Sequence, residues 1–266
     1  MKKSLTAREI DRYLRFARNL AEEAGRILIR RANRNNEIRY KGRVNLVTAA
    51  DMASQKYIVR AIEKEYPGHS ILAEEAEARE RNSEYRWIID PLDGTTNYAH
   101  GFPFYCVSIA LEFRGEIMLG VVYDPGRDEL FAAGLGRGAY LNGRKIRVTS
   151  EAKLAHALLA TGFPYDIGVT QEDNLNNYIR FAKGARGIRR AGSAALDLCY
   201  VACGRCDGFW ELKLSPWDTA AGKLMVEEAG GRVTDFSGKK YSIYNRYIIA
   251  SNGAIHGQMK SILAKT

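Results

Sequence analysis

Between Thr6 and Ala32 the apolar residues Ile10, Leu14, Ala17, Leu20, Ala21 and Ala24 recur at the spacing of one helix face. Thr6 and Glu9 form the T-x-x-E pattern of a capping box, which predicts a helix from about Ser4 to Ala32. A polar break, RANRNNEIRYKGRVN, follows. A second helix is predicted from about Asp51 to Glu65, stopped by Tyr66-Pro67-Gly68. SILAEE and YRWIID read as strands, and the charged segment Glu74 to Glu84 between them as a mobile loop too polar to pack. From Phe104 to Val148 short β-rich runs alternate with turn signals: CVSIALEF, IMLGVVYD, ELFAAG, GAYLN and KIRV, with Asn142-Gly143 as a two-residue hairpin turn.

After ALLATGF the pattern changes to alternating helix and strand. Helices are predicted at Gln171–Lys183, Ser193–Cys203 and Asp218–Ala229, with a final helix at the C-terminus. Strands are predicted at GIRRAG, GFWEL, Arg232–Asp235 and YIIASN. No repeat or low-complexity linker separates the halves. The pattern predicts one α/β domain over 1–266, with sheets layered between helices. Its N-terminal half, to about residue 150, is α+β, and the remainder is α/β.

Composition narrows the class. The chain has 266 residues, 46% hydrophobic and 27% charged, ordinary for a soluble globular protein. No apolar run approaches the ~18 residues of a membrane span. The start, MKKSLTAREIDRYLRF, is basic but lacks the apolar stretch of a signal peptide, so a cytoplasmic location is the expectation. The net charge of +9 fits either nucleic-acid binding or attraction of small anions such as phosphate esters. The densest basic groups (Arg30-Arg31, Lys239-Lys240, Arg186 to Arg190) are short and scattered, which favours the small anion. Cys203-x-x-Cys206 lacks the second pair or histidines that zinc needs, so Cys106, Cys199, Cys203 and Cys206 are expected to be reduced thiols. His69, His156 and His256 form no ligand pattern, and His100 alone stands beside the motif discussed next.

RWIIDPLDGTTNYAHGFPF, residues 86–104, places Asp90 and Asp93 where an apolar strand runs out. DPLDG is compatible with a plain turn. A cation between the carboxylates is the second reading. Pro91 fixes its own φ and restricts Asp90, so the two carboxylates and the Leu92 carbonyl can converge into a hard oxygen site suited to Mg²⁺. Gly94-Thr95-Thr96 then starts a helix whose N–H groups can hold a phosphate. Together these make a metal-assisted phosphatase layout. Glu74 and Glu75 end a strand, while Asp51 and Asp218 stand at helix starts. Singly, each of these has a bland reading as a solvated acid or an N-cap.

The chain resembles the inositol monophosphatase family of Mg²⁺-dependent, lithium-sensitive sugar phosphatases. WIIDPLDGTTNYAHGFP is similar to that family's first signature and PWDTAAGKLMVEEAGG to its second, with LVTAAD, the AEE ending and RRAGSAALDLC in support. The resemblance implies an αβαβα sandwich of the sugar-phosphatase type, a homodimer, and Mg²⁺ as cofactor. It implies a first ion at Glu74, Asp90 and the Leu92 carbonyl, a second at Asp90, Asp93 and Asp218, and a third, weaker ion near Glu74. Asp51 and Thr95 would orient and help deprotonate the attacking water. Gly94 and Thr95 N–H groups would hold phosphate, and Gly192, Ser193, Ala194 and Glu211 would face the sugar hydroxyls. Asn45 replaces the first Asp of the family's DLVTxxD, a position that is not a metal ligand in the resemblance.

The expected reaction is hydrolysis of inositol monophosphate, with myo-inositol 1-phosphate as reference. Fructose 1,6-bisphosphate, 3′-phosphoadenosine 5′-phosphate and histidinol phosphate are alternatives in the same class. Arg189-Arg190 fits either a second phosphate or a solvated strand end. From a different class, the charge leaves open a basic RNA- or protein-binding role. A catalytically dead scaffold is disfavoured, because every implied ligand position holds a competent residue.

Overall fold

The structure is a computed structural model that describes residues 5–32, 38–40, 46–75 and 78–264. In chain order the first elements are α1 (Ala7–Ala32), β1 (Ile38–Tyr40), β2 (Leu46–Thr48), α2 (Ala49–Glu65), β3 (Ser70–Ala73), β4 (Tyr85–Asp93) and α3 (Thr95–Ala99). Next come β5 (Cys106–Phe113), β6 (Glu116–Asp124), β7 (Glu129–Gly134), β8 (Gly138–Leu141), β9 (Arg144–Lys145) and β10 (Leu158–Thr161). The chain continues through α4 (Leu175–Gly184), β11 (Gly187–Arg189), α5 (Ala194–Ala202), β12 (Gly208–Leu212), α6 (Pro216–Glu228), β13 (Arg232–Thr234), β14 (Tyr247–Ser251) and α7 (His256–Leu263).

Side-chain alternation sorts these elements into five layers. Strands β3 to β9 form a seven-stranded sheet in chain order, antiparallel except for the parallel β3–β4 pair. Trp87, Ile89, Ile109, Leu111 and Val121 point to one face and pack on Tyr13, Leu20 and Leu28 of α1 and on Ile58 and Ile62 of α2. Their neighbours Ile88, Ala110, Val122 and Phe131 point the other way, onto α5 and α6. Both faces are covered, so these antiparallel strands read as continuous apolar runs instead of alternating ones. The second sheet, β11-β10-β12-β14-β13, backs on α5 and α6 through Phe209 and Ile248. Its other face carries Leu159, Trp210 and Ile249 against Phe181 of α4 and Met259 of α7. The result is the α/β layered architecture expected, an αβαβα sandwich with α5 and α6 in the middle.

The differences from expectation have local causes. Helices α2 and α6 begin before Asp51 and Asp218, because Thr48 and Ser215 are the N-caps and each Asp is the third helical residue of a capping box. Helix α4 starts four residues later than expected. Asn174 sits at φ 69°, and its side chain is committed to Thr161 and Gly162. KIRV contributes only Lys145 to the sheet. Beyond it Val148 N–H turns to the carbonyl of Ala229, at the end of α6. Asn142 and Gly143 adopt φ 48° and 77°, the conformation of the expected hairpin turn. Ala76, Glu77 and Asn45 lie outside the described residues. The described part of the expected mobile loop is anchored, with Arg79 bridging to Ile71 and ion-paired to Glu63. All four cysteines are free thiols. Among the described residues no helix is long and apolar enough to cross a membrane.

The middle layer depends on small residues. A Cβ on Gly120 of β6 would stand 2.6 Å from Ala221 Cα and 2.7 Å from its carbonyl oxygen, so α6 lies directly on the sheet there. Gly120→Ala must push backbone against backbone, which costs about 1–3 kcal/mol. The expected result in thermal denaturation is a Tm lowered by several degrees. Gly68→Ala, with nothing within 4 Å of its new Cβ, should leave the Tm unchanged or slightly raised.

Candidate active site

Asp90 and Asp93 are three positions apart, an odd spacing that puts side chains on opposite faces of a regular strand. The β4–β5 pairing is regular to Asp90↔Ser108 and resumes at Asp93↔Cys106 after a register shift. Pro91 has no N–H to give the ladder, and its carbonyl instead accepts from Ser54 Oγ at 2.9 Å. This bulge turns both carboxylates to the same side. Gly94, at φ 93°, then starts α3. A Cβ there would also meet the Phe104 carbonyl at 2.9 Å, so glycine is required for both conformation and space.

Two more acids arrive on helix N-termini. Asp218, the third residue of α6, reaches back to Ser215 N–H at 2.6 Å. Its carboxylate joins those of Asp90 and Asp93, with one oxygen from each lying within 4.8 Å of the others. Asp51, the third residue of α2, accepts from Thr48 N–H at 2.8 Å through Oδ2 and from the Thr95 hydroxyl at 3.0 Å through Oδ1. Thr95 Oγ1 is also 3.0 Å from the Leu92 carbonyl, so its one proton has two acceptors. Asp93 Oδ2 accepts from Ser193 Oγ at 2.6 Å and from Ala195 N–H at 2.8 Å, at the start of α5.

These groups form the floor of a cavity of about 460 Å³ between the two sheets. Glu74, Leu92, Gly94, Thr95, Gly192, Ser193, Ala194 and Glu211 line it together with the three aspartates. Every expected site residue is therefore at the cavity except Asp51, which lies behind Thr95. Glu74 lines the wall but is not in the tight carboxylate trio. The Ser193 hydroxyl, expected at the sugar, is committed to Asp93, and the Gly94 N–H is likewise directed at the Asp93 carboxylate. The N–H groups of Thr95 and Thr96 begin α3 without an intrahelical acceptor.

Electrostatics identify the crowded groups. Burial, then Glu74, Asp93 and Asp218, hold the Asp90 carboxyl well above the ordinary range. Burial and Asp93 do the same for Asp218. Burial lifts Asp93 to about 6, against the hydrogen bonds from Ser193, Ala195 and Gly94. Burial also raises Asp51, with the hydrogen bonds from Thr48 and Thr95 opposing it. Three clustered acids with raised pKa values form a set that is unfavourable without positive charge.

The far end of the cavity holds residues the sequence reading did not place. Both arginines are exposed, but only Arg190, just past the end of β11, lines the wall. Arg190 acts electrostatically on Glu211 and on Asp197, both buried. Burial pushes Glu211 up to about 8. Asp197 carried a signal, as a lone acid within the apolar run AALDLC. Lys213 carried none. It lines the cavity at φ 63° and bonds Asp166 at 2.8 Å and Thr170 at 2.7 Å, tying the 163–170 loop to the end of β12. Cys106 Sγ lies 3.6 Å from Ser193 Oγ, under Asp93. His100 is exposed and does not line the cavity.

Comparison with known proteins agrees with this arrangement. The model of the inositol monophosphatase family matches residues 9–266. Nus factor SuhB of Pseudomonas aeruginosa is 46% identical over 248 residues, covering 90% of this chain and 91% of that protein. Inositol-1-monophosphatase of a Synechocystis species is 41% identical over 260 residues, covering 97% of this chain and 91% of that protein. The solved inositol monophosphatase from Anabaena (Nostoc) superposes with a TM-score of 0.89 at 42% identity, over 97% of each chain. A match of that length, in sequence and in fold, means that this chain belongs to the inositol monophosphatase family.

Proposed function

We propose that this protein is a Mg²⁺-dependent phosphomonoesterase that hydrolyses inositol monophosphate, with myo-inositol 1-phosphate as the reference substrate, to inositol and phosphate. The observation that carries the reading is the Asp90, Asp93 and Asp218 trio at the floor of a substrate-sized cavity, beside the Thr95–Asp51 pair. The donor set fits the ion. It is all hard oxygen, it includes the Leu92 carbonyl, and it leaves room for water, as Mg²⁺ requires. Glu74, Asp90 and the Leu92 carbonyl would hold one ion and Asp90, Asp93 and Asp218 another, with a weaker one near Glu74. Bound Mg²⁺ supplies positive charge to the phosphoryl and leaving oxygens and makes water more acidic.

The remaining steps belong to the chain. Asp51 is fully buried and reaches the cavity only through Thr95. A water above Thr95 Oγ1 can give its proton to the threonine as the threonine proton moves to Asp51 Oδ1. The raised pKa of Asp51 makes it a better acceptor. Thr48 holds the other oxygen, so the carboxylate keeps its orientation. The Thr95 and Thr96 N–H groups at the start of α3 would face the phosphate. Gly192, Ala194 and the Ser193 backbone flank the leaving group, and Glu211 accepts from its hydroxyls. Arg190 faces two buried acids, Asp197 and Glu211, and offsets them only in part. That charge pattern favours a hydroxyl-bearing leaving group over the second phosphate of fructose 1,6-bisphosphate.

One observation favours a second reading, a basic RNA- or protein-binding role. Arg8, Arg12 and Arg15 are exposed along α1 in a chain of net charge +9, and one relative is named a Nus factor. Gel shifts with RNA across a salt series test it. Binding that weakens steeply with salt supports it, and flat, weak binding removes it.

Two variants separate the catalytic roles. Thr95→Ala should lower kcat by about 10²–10⁴, the span of lost proton-transfer assistance, with Mg²⁺ affinity little changed by calorimetry. Asp93→Asn should raise the Mg²⁺ requirement and lower kcat. Normal turnover by either variant, or full activity of the parent in EDTA, refutes the mechanism.

A thermal measurement tests the cation site without turnover. An acid whose folded pKa is raised stabilises the fold fully below its unfolded pKa, and that stability is lost as pH rises through the folded value. For Asp93 this window runs from 3.8 to about 6, and Asp90 and Asp218 extend it upward. Because binding requires ionised carboxylates, Mg²⁺ should raise the Tm more at pH 8 than at pH 4.5. Equal shifts at both pH values would remove the trio as the binding site.

A further inference from the structure

Glu211 and Gly162 meet across two parallel strands. Thr161, the last residue of β10, registers against Trp210 of β12, so Gly162 lies opposite Glu211 just beyond the strand end. The Glu211 side chain folds over the Gly162 backbone. A Cβ on residue 162 would stand 2.1 Å from Glu211 Oε1 and 2.4 Å from both Cδ and Oε2. Gly162 is not among the residues with positive φ. Its backbone would accept any L-residue, so glycine is needed there for space and not for conformation.

The surroundings decide which partner would yield to a side chain. Asn174 Nδ2 donates to the Gly162 carbonyl at 2.7 Å and to Thr161 Oγ1 at 3.1 Å, while Trp210 Nε1 donates to Asn174 Oδ1 at 2.9 Å. Thr161 Oγ1 in turn donates to the Trp210 carbonyl at 2.6 Å. This buried network pins the backbone at residue 162. The Glu211 backbone is paired with Ile248 of β14 on its other side. Only the Glu211 carboxylate, at the end of a flexible side chain, is free to shift.

We infer that Gly162 is a positioning residue for the Glu211 carboxylate, and that its missing side chain sets the preference for polyol phosphates over phosphate esters whose leaving group has no hydroxyls. The inference rests on the proposed function, in which Glu211 accepts from the leaving group. Gly162 acts through Glu211 and touches no reacting atom. The substitution is tolerable to the fold and harmful to recognition, because relief of the clash moves the one group that recognises the hydroxyls.

The test is a double-mutant cycle of Gly162→Ala, Glu211→Ala and the combined variant, with Mg²⁺. The substrates are myo-inositol 1-phosphate and p-nitrophenyl phosphate. Gly162→Ala should melt with the parent and raise the KM for inositol 1-phosphate. The ratio of the two kcat/KM values should fall about three- to tenfold, the value of a single hydrogen bond. The combined variant should discriminate no worse than Glu211→Ala alone. A crystal structure of Gly162→Ala should show the Glu211 carboxylate swung away from residue 162. Additive losses in the combined variant, or an equal loss on both substrates, overturn the inference while the proposed function stands. So does unchanged discrimination by Gly162→Ala where Glu211→Ala has lost it. If Glu211→Ala itself leaves the discrimination intact, or the parent hydrolyses neither ester, the functional reading fails and the inference falls with it.

Discussion

Repulsion among Asp90, Asp93 and Asp218 is the constraint to which the rest of the structure answers. Two unit charges about 4 Å apart repel by about 4 kcal/mol at an effective dielectric of about 20. The fold meets this with oriented N–H groups. Asp93 lies at the first turn of α5, Asp218 closes the capping box of α6, and Asp51 closes that of α2. Asp90 accepts from Leu92 N–H at 3.0 Å. The N-termini of α5 and α6 thus aim their positive ends at the trio, and that of α2 at Asp51 behind Thr95, each a favourable interaction with negative charge. The raised pKa values of the trio accord with dipoles that only partly offset the crowding, which leaves the set suited to a cation.

Bringing α6 to that point requires close packing. The helix must touch the seven-stranded sheet on one side and α5 on the other while its N-terminus reaches the end of β4. Ala220, Ala221 and Gly222 make this feasible. Gly120 admits Ala221 from the sheet side, and Gly222 admits the Leu198 side chain of α5, where a Cβ would lie 2.6 Å from Leu198 Cβ. A glycine inside a helix costs about 1 kcal/mol in propensity, and here it shortens the distance between layers. The geometry of the acid trio is thus a consequence of small residues within about one turn of Asp218.

The opposite end of the cavity works on a different balance. Glu211 and Asp197 are buried near a single guanidinium, Arg190, so their charge is only partly compensated. Such groups gain most from a leaving group that can donate hydrogen bonds. The 163–170 loop, held to β12 by Lys213, encloses this end. Under the proposed function, the floor would handle the anion and this wall the hydroxyls of the leaving group.

The sequence by itself determined the layered architecture and the acids of the candidate site. Alternation and helical periodicity report burial on one or two faces, and burial is local in sequence for strands such as β5 and helices such as α1. The acids were legible because DPLDG, TAAD and SPWD each place a carboxylate at an element's end. What they do there was only half legible: TAAD and SPWD are capping boxes as well as site residues, which is why α2 and α6 start earlier than their aspartates. Tertiary structure alone decided the rest. The bulge at Pro91 puts Asp90 and Asp93 on one side, against the parity of a strand. Of the pair Arg189-Arg190, only Arg190, just past the end of β11, lines the cavity. Gly162 looks like any turn glycine until Glu211, 49 positions along the chain, folds over it. These are facts about distances between residues remote in sequence, and no local pattern encodes them.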